Sequence, residues 1–295
     1  MEISEQQLIQ WSKPVTTTED EKCKNAIRQI TEAIRNKFGN NISIFLQGSY
    51  ENNTNVRKDS DVDIVVRHEG YFYHDLQRLS DYDRQLYKSN LVPADYQFAQ
   101  LKEDVYSALA DTFGKAVKRK NKCIEVLGNS YRITGDVIPC FVHKRFASLS
   151  TIEVEGIQFY SDTGCKIVSF PKQHYKKGVH KTELTRRMYK RAVRILKVFR
   201  NNLIDSGKIS NELTSSFFIE SLVYNVPNDH FTIGNYTQTI KNVITKLYND
   251  MDNETISKKY TDVSGYKWLF APGTRLSPSN AKEFMLRCWQ YAGFK

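Results

Sequence analysis

Long hydrophobic runs are missing from this sequence of 295 residues. No stretch approaches the ~20 consecutive apolar residues that a membrane-spanning helix needs. The first residues, MEISEQQLIQWSK, are acidic and interrupted by polar side chains, which is unlike a signal peptide. We therefore expect a cytoplasmic protein with no membrane segment.

Cysteine is scarce and dispersed along the chain. The five cysteines form no CxxC pair and no cluster with histidine at metal-ligand spacing. Structural zinc needs such clusters, so we expect reduced, mostly buried thiols and no zinc site. A recognisable RNA-binding module, such as an RNA recognition motif or a zinc knuckle, is also missing.

Positive charge, in contrast, is in excess: 43 basic residues stand against 33 acidic ones, which gives a net charge of +10. An ordinary solvated surface would explain this excess. An anionic partner, either nucleic acid or the phosphates of a nucleotide, would explain it equally well. Since net charge does not distinguish these explanations, the positions of the functional residues must do so.

The pattern of apolar residues changes along the chain. We predict an α+β fold, with a mixed sheet and flanking helices in residues 1–170 and a helical lobe in residues 171–295. The predicted elements are a helix ending near 38, strands at 42–47 and 61–66, a helix at 94–113, strands near 123–127 and 131–141, a β-rich patch at 152–170 and a long helix from Thr182.

Two aspartates stand one residue apart at the end of the stretch FLQGSYENNTNVRKDSDVDIVV, residues 45–66. On a strand, Asp61 and Asp63 share one face, while Val62 and Ile64 point into the core. Neighbouring carboxylates repel each other, and a divalent cation such as Mg²⁺ removes that penalty. Asp136, in the apolar run ITGDVIPCF, is the best third carboxylate for a site with two metal ions.

A Gly-Ser turn precedes the two aspartates, with the spacing GS-x11-DxD. Without a side chain at Gly48, backbone N–H groups and the Ser49 hydroxyl can approach a triphosphate. No Gly-Lys-Ser/Thr follows, so this is not a Walker motif. A Gly-Ser pair alone is usually only a turn, and a DxD alone is usually a solvated strand edge. Their combination with Asp136 favours a catalytic site.

These motifs resemble those of the polymerase-β-type nucleotidyltransferases. In particular, QGSYENNTNVRKDSDVDIVV and GDVIPCF look like the bacterial CD-NTases, relatives of cyclic GMP–AMP synthase and 2′,5′-oligoadenylate synthetase. The segments TRRMYKRAVRILKVFRN and LTSSFFIESLVYNVPN are similar to the helical lobe of that family. The resemblance therefore covers most of the chain and implies a polymerase-β-like nucleotidyltransferase core with a helical C-terminal lobe.

The resemblance also implies a role for individual residues. Phe217 would stack on the donor base, where relatives often have tyrosine, and either Ser215 or Ser216 would contact the phosphates. The implied metal ligands are Asp61, Asp63 and Asp136, and the implied nucleotide-binding residues are Gln47, Gly48, Ser49, Lys197, Ser216 and Phe217.

Two further patterns bear on the helical lobe. Four cations at helical spacing predict one basic face that is either solvated or directed at phosphate, with the phosphate role favoured for Lys197. His174 and His180 flank YKKGV in a predicted loop, which makes surface positions the expectation. The four cations are Arg186, Lys190, Arg194 and Lys197.

The predicted activity is a metal-dependent nucleotidyl transfer that joins NTPs into a cyclic di- or trinucleotide. The resemblance implies two Mg²⁺ ions, with Mn²⁺ as an alternative, and a second messenger for anti-phage (CBASS) signalling. We further predict a monomer, with a CBASS regulatory protein or a downstream effector as its partner. The alternatives are a transferase acting on RNA 3′ ends or on a small acceptor, and an inactive nucleotide-binding relative; nucleic-acid binding is not favoured.

Overall fold

The computed structural model describes residues 2–14, 17–56, 61–274 and 276–295, apart from the side chains at 17 and 18. The chain divides into two compact units. The first, here called the sheet unit, comprises Thr16–Gly48 and Ser60–Pro171. The second, the helical unit, comprises Met1–Val15, Ser49–Asp59 and Lys172–Lys295. The helical unit is therefore assembled from three separate stretches of chain.

The helices and strands of the described residues follow in chain order. The α-helices are α1 Glu5–Trp11, α2 Thr17–Phe38, α3 Gly48–Glu51, α4 Asp81–Ser89, α5 Phe98–Phe113, α6 Pro171–Leu184, α7 Met188–Asp205, α8 Ser216–Asn225, α9 Tyr236–Asp250, α10 Glu254–Ser257 and α11 Pro278–Ala292. The strands are β1 Ile42–Gln47, β2 Val62–Asp75, β3 Val117–Arg119, β4 Ile124–Val126, β5 Gly135–Ser148, β6 Thr151–Tyr160 and β7 Lys166–Ser169.

The described strands form one mixed sheet, as predicted. Its order is β1-β2-β5-β4-β3, and β6 pairs with both β5 and β7. Only the β2–β5 pairing among these strands is parallel. Val62 and Ile64 are fully buried, which confirms their predicted inward direction. Ile30 of α2 packs on Gly135 of β5, at a place where a Cβ atom would lie 2.6 Å from the isoleucine side chain.

The helical unit has its own hydrophobic core. Leu8 of α1, Phe199 of α7, Leu222 of α8, Val243 of α9 and Phe284 of α11 are each completely buried in one apolar cluster. Burial of such side chains is the main force that holds helices together in a bundle. Among the described residues, no helix is long and apolar enough to cross a bilayer.

The predicted long helix from Thr182 is in fact two helices, α6 and α7. The chain turns between them because Arg186 and Arg187 adopt left-handed backbone angles, with φ of 46° and 72°. The Thr185 hydroxyl donates to the carbonyl of Lys181 and accepts from the amide of Tyr189, which bridges the break. A hydrophobic periodicity alone does not reveal such a break, since the spacing continues across it.

The position predicted for His174 was wrong. This residue lies within α6 rather than in a loop, and it is 8% exposed rather than on the surface. His180 also lies within α6, although it is exposed as predicted. A buried imidazole needs a hydrogen-bond partner. Its partner is the carboxylate of Glu220, which is described below.

Candidate active site

A row of polar side chains crosses the sheet at one level. The backbone register pairs Gln47 of β1 with Asp63 of β2, Asp63 with Asp136 of β5, and Asp136 with Glu125 of β4. Residues paired in this way present their side chains on the same face. The sequence neighbours of these residues on the strands, such as Val137, are buried on the other face. Two of the predicted metal ligands thus occupy adjacent strands at the same level.

Asp61 lies one residue before β2 and is exposed. Its spacing from Asp63 places both on the same side of an extended chain. Within the described part of the chain, no three His, Cys, Asp or Glu side chains are grouped as they would be around a bound metal ion. The strand register therefore pairs Asp63 with Asp136, and Asp61 lies two residues before Asp63 along the chain.

The Asp63 carboxylate occupies space that is free only because residue 48 is glycine. A Cβ atom at residue 48 would lie only 2.0 Å from Asp63 Oδ2. The backbone at Gly48 also has a positive φ of 72°, a conformation that side-chain-bearing residues rarely adopt. Glycine is thus required here both for the turn into α3 and for the close approach of the acid.

The electrostatic environment of Asp136 disfavours its negative charge. Burial raises the pKa of this carboxyl, and the Glu125 carboxylate adds to that effect. A hydrogen bond from the Cys123 thiol and the charge of Lys120 act in the opposite direction. Burial, with Asp136 nearby, raises the pKa of Cys123 itself to about 12, so the thiol remains a donor.

This donor set fits a hard divalent cation. Mg²⁺ takes carboxylate oxygens from one or two side chains and fills its remaining positions with water or substrate phosphates. A cation beside Asp136 would compensate the charge that burial and Glu125 disfavour. Glu125 is itself held by Lys120, at 3.0 Å.

The remaining predicted residues belong to the helical unit. Ser49 lies in α3 and is half-buried. The hydroxyl of Ser215 caps α8 by accepting from the amide of Phe218 at 3.2 Å. Ser216 is the first residue of α8 and is half-buried, and Phe217 follows with 49% of its surface exposed. An exposed aromatic ring of this kind is suited to stacking on a base.

Lys197 is 1% exposed and contacts Thr54 and Glu220 of the helical unit. Its ammonium donates to the Thr54 carbonyl at 3.0 Å and to the Thr54 hydroxyl at 3.2 Å, and it lies 3.7 Å from a Glu220 oxygen. Arg194, from the same predicted basic face, donates to the carbonyls of Ser12 and Asn53. These two cations hold backbone of other segments, while Lys190 is half-buried nearer the surface.

Sequence reasoning missed two acidic residues, Glu125 and Glu220. Each is a lone acid within an apolar run, CIEVL and SFFIESLVYN respectively. Glu and Asp are almost never buried without a partner. A single acidic residue inside an apolar run is the pattern that identified Asp136, and the same pattern is present at Glu125 and Glu220.

The chain matches two family models and several known proteins. Residues 176–293 match the model of the cGAS/DncV-like nucleotidyltransferase C-terminal helical domain, and residues 27–128 match that of the nucleotidyltransferase domain. A cyclic dipurine nucleotide synthase of Elizabethkingia meningoseptica is 57% identical over 295 residues, which is 100% of both chains. A cyclic dipyrimidine nucleotide synthase, CdnE of Cecembia lonarensis, is 35% identical over 99% of both chains.

A solved structure is similar as well. The Elizabethkingia meningoseptica CdnE cyclic dinucleotide synthase, determined with GTP and Apcpp, superposes with a TM-score of 0.85 at 54% identity. The superposition covers 99% of the present chain and 100% of the other.

Proposed function

This chain belongs to the cGAS/DncV-like nucleotidyltransferases, and we propose that it joins two purine nucleoside triphosphates into a cyclic dinucleotide. The observation that carries the chemistry is the pairing of Asp63 with Asp136 on adjacent strands. The relative with 57% identity over the full length is a cyclic dipurine synthase, which supports the purine choice. A relative at 35% identity is a dipyrimidine synthase, so the choice of base is the part that most needs a test.

The reaction proceeds by two successive transfers. A ribose hydroxyl of one nucleotide forms a bond to the α-phosphorus of the other, the bond to the β-phosphate oxygen breaks, and pyrophosphate leaves with the hydroxyl proton passing to solvent. The second transfer closes the ring and releases a second pyrophosphate. In this proposal, Gln47, Gly48, Ser49 and Ser216 bind the triphosphate, and Phe217 stacks on the donor base. Lys197 acts on the triphosphate through its positive charge while it holds the backbone of Thr54.

Nucleotidyltransferases of this kind depend on a divalent metal. We propose Mg²⁺, with Mn²⁺ as an alternative, in two positions held by Asp61, Asp63 and Asp136. When bound, such ions lower the pKa of the attacking hydroxyl and neutralise charge on the departing pyrophosphate. The role of the sheet is to hold the carboxylates of Asp63 and Asp136 at one level, and the absence of a side chain at Gly48 leaves room for Asp63.

The proposal extends to the biological role. We place the enzyme in the cytoplasm, where NTPs are available, and assign its product to anti-phage signalling through an effector that binds it. A CBASS regulatory protein and a monomeric state remain predictions.

The test is incubation of the purified protein with ATP and GTP, or with CTP and UTP, in the presence of Mg²⁺ and without a primer. We expect a phosphatase-resistant product from the purine pair, with the mass of a cyclic dinucleotide, and far less from the pyrimidine pair. Equal use of both pairs would refute the purine assignment. Products formed only with added RNA or a small acceptor would favour one of the alternative transferases.

A further inference from the structure

The nucleotide-binding residues predicted in the helical unit lie on three segments that are distant in sequence: Ser49 in α3, Lys197 in α7, and Phe217 in α8. One buried carboxylate is connected to all three. Glu220, in α8, is 3% exposed. We propose that Glu220 is a positioning residue that holds the donor-nucleotide contacts of this unit in a common arrangement, a role that rests on the proposed function.

The first connection runs to the segment that carries Ser49. Oε2 of Glu220 accepts from the Thr54 hydroxyl at 2.8 Å. The amide of Thr54 in turn donates to the carbonyl of Ser49 at 2.9 Å. Arg194 holds the neighbouring carbonyl of Asn53 at 2.5 Å. The backbone of Ser49 is thus two hydrogen bonds away from Glu220.

The second connection runs to Lys197. Its ammonium shares the Thr54 hydroxyl with Glu220 and lies 3.7 Å from Oε2 of that residue. Burial alone would raise the pKa of Glu220, but the hydrogen bond from His174 and the charge of Lys197 outweigh it and leave the pKa below its ordinary value. Glu220 is therefore ionised at neutral pH and provides the opposite charge for Lys197.

The third connection runs to Phe217 by way of His174. Nε2 of His174 lies 3.0 Å from Oε1 of Glu220. The imidazole ring also packs against the ring of Phe217, with centroids 6.0 Å apart and planes inclined by 38°. Because the imidazole is held by Glu220, it supports one side of the Phe217 ring, and Phe217 is 49% exposed. A base stacking on that ring would meet a surface of defined orientation.

Glu220→Gln keeps the size of the side chain but removes its charge. It also replaces one acceptor oxygen by an NH₂ group, so Thr54 and His174 can no longer both donate to this side chain. We measure the Kd of a non-hydrolysable ATP analogue, and the KM for ATP, at a temperature where the variant is fully folded. We expect both to rise about tenfold, as when a charge-assisted hydrogen bond is lost. A purely structural role would lower the unfolding temperature of the variant but leave the Kd and KM of the folded protein unchanged.

Two further variants complete the test. Thr54→Val keeps the shape of the side chain but removes the hydroxyl that Glu220 and Lys197 share, so we expect Kd to rise here as well. This variant provides the test if Glu220→Gln does not fold.

Glu254→Gln is the matched control, because it removes a carboxylate of the same unit whose ion pair with Lys258 is on the surface. An unchanged Kd in the folded Glu220→Gln protein, or in Thr54→Val if the former does not fold, overturns the proposal. A wild-type protein without cyclic product would contradict the proposed function, whereas analogue binding would still test Glu220.

Discussion

Two acidic centres in this molecule have opposite electrostatic character. In the sheet unit, burial and the Glu125 carboxylate raise the pKa of Asp136. In the helical unit, the fully buried Glu220 has a lowered pKa because His174, Lys197 and Thr54 stabilise its charge. A carboxylate supplied with its own cation is suited to holding protein parts together. A carboxyl that is costly to ionise is suited to binding a cation from solution.

The largest expected effect is the loss of synthesis in Asp63→Asn and, separately, in Asp136→Asn. Each change keeps the shape of the side chain and removes a metal-binding charge, so product formation should fall by about a thousandfold or more. Rates of cyclic product formation at saturating Mg²⁺ check this. Asp111→Asn, an exposed position on α5, is the control and should retain full activity. If either active-site variant kept more than a tenth of the wild-type rate, Asp63 and Asp136 would not form the metal site.

A second prediction concerns stability and sharpens the contrast between the two acids. Glu220→Gln removes a negative charge beside the buried Lys197 ammonium, which should lower the free energy of unfolding by about 3 kcal/mol at neutral pH. Asp136→Asn should instead be neutral or slightly stabilising. Urea unfolding in metal-free buffer measures both. Equal destabilisation by the two substitutions would contradict the claim that the protein stabilises the charge of Glu220 but not that of Asp136.

The pH dependence follows from the sign of each pKa shift. The stabilisation from Glu220 is present above its ordinary pKa of 4.5 and is lost as the pH falls through the lower value in the folded protein. The deficit of Glu220→Gln should therefore shrink in acid. For Asp136 the folded pKa is the higher one, so its ionisation costs stability as the pH rises from its ordinary pKa of 3.8. Any gain of Asp136→Asn should appear only above that pH.

Gly48→Ala tests whether the activity requires the space that Gly48 leaves for the Asp63 carboxylate. The new Cβ atom would collide with the Asp63 carboxylate, so we expect activity to fall about a hundredfold, as for a displaced catalytic group. The left-handed backbone should also cost about 1–2 kcal/mol of stability. Gly39→Ala is a close control, since Gly39 has a φ of 58° but nothing within 4 Å of its Cβ position. Equal losses of activity in the two variants would assign the effect to backbone strain alone.

The smallest effect is expected for Glu125→Gln. Removing this charge beside Asp136 should weaken the attraction for Mg²⁺ and raise the half-saturating concentration by about two- to fivefold. A titration of activity against Mg²⁺ measures it. Glu103→Gln, which breaks the exposed ion pair with Arg119 in the same unit, should leave the titration unchanged. A matching shift in that control would mean that only the overall charge of the unit matters.

The two units also differ in how far their sites could be predicted from sequence. Side chains on a strand alternate with a period of two, so Asp63 was placed on one face and Val62 on the other from spacing alone. The pairing of Asp63 with Asp136 followed from assuming that two apolar strands are neighbours. The burial of Lys197 could not be predicted in this way, because it depends on Thr54, 143 residues earlier in the chain. Helical periodicity identifies a face but not the segment that covers it.

The helical unit is built from both ends of the chain and from a short internal stretch, and this arrangement has a consequence for synthesis on the ribosome. Leu8 leaves the exit tunnel long before Phe284, although both belong to one apolar cluster. The segments Met1–Val15 and Ser49–Asp59 therefore cannot pack into their unit until the last helices have been synthesised. The sheet unit is complete at Pro171 and can fold first. A fragment beginning at Lys172 would lack Leu8 and Thr54, so we expect it to require those peptides in trans before it could form a stable bundle.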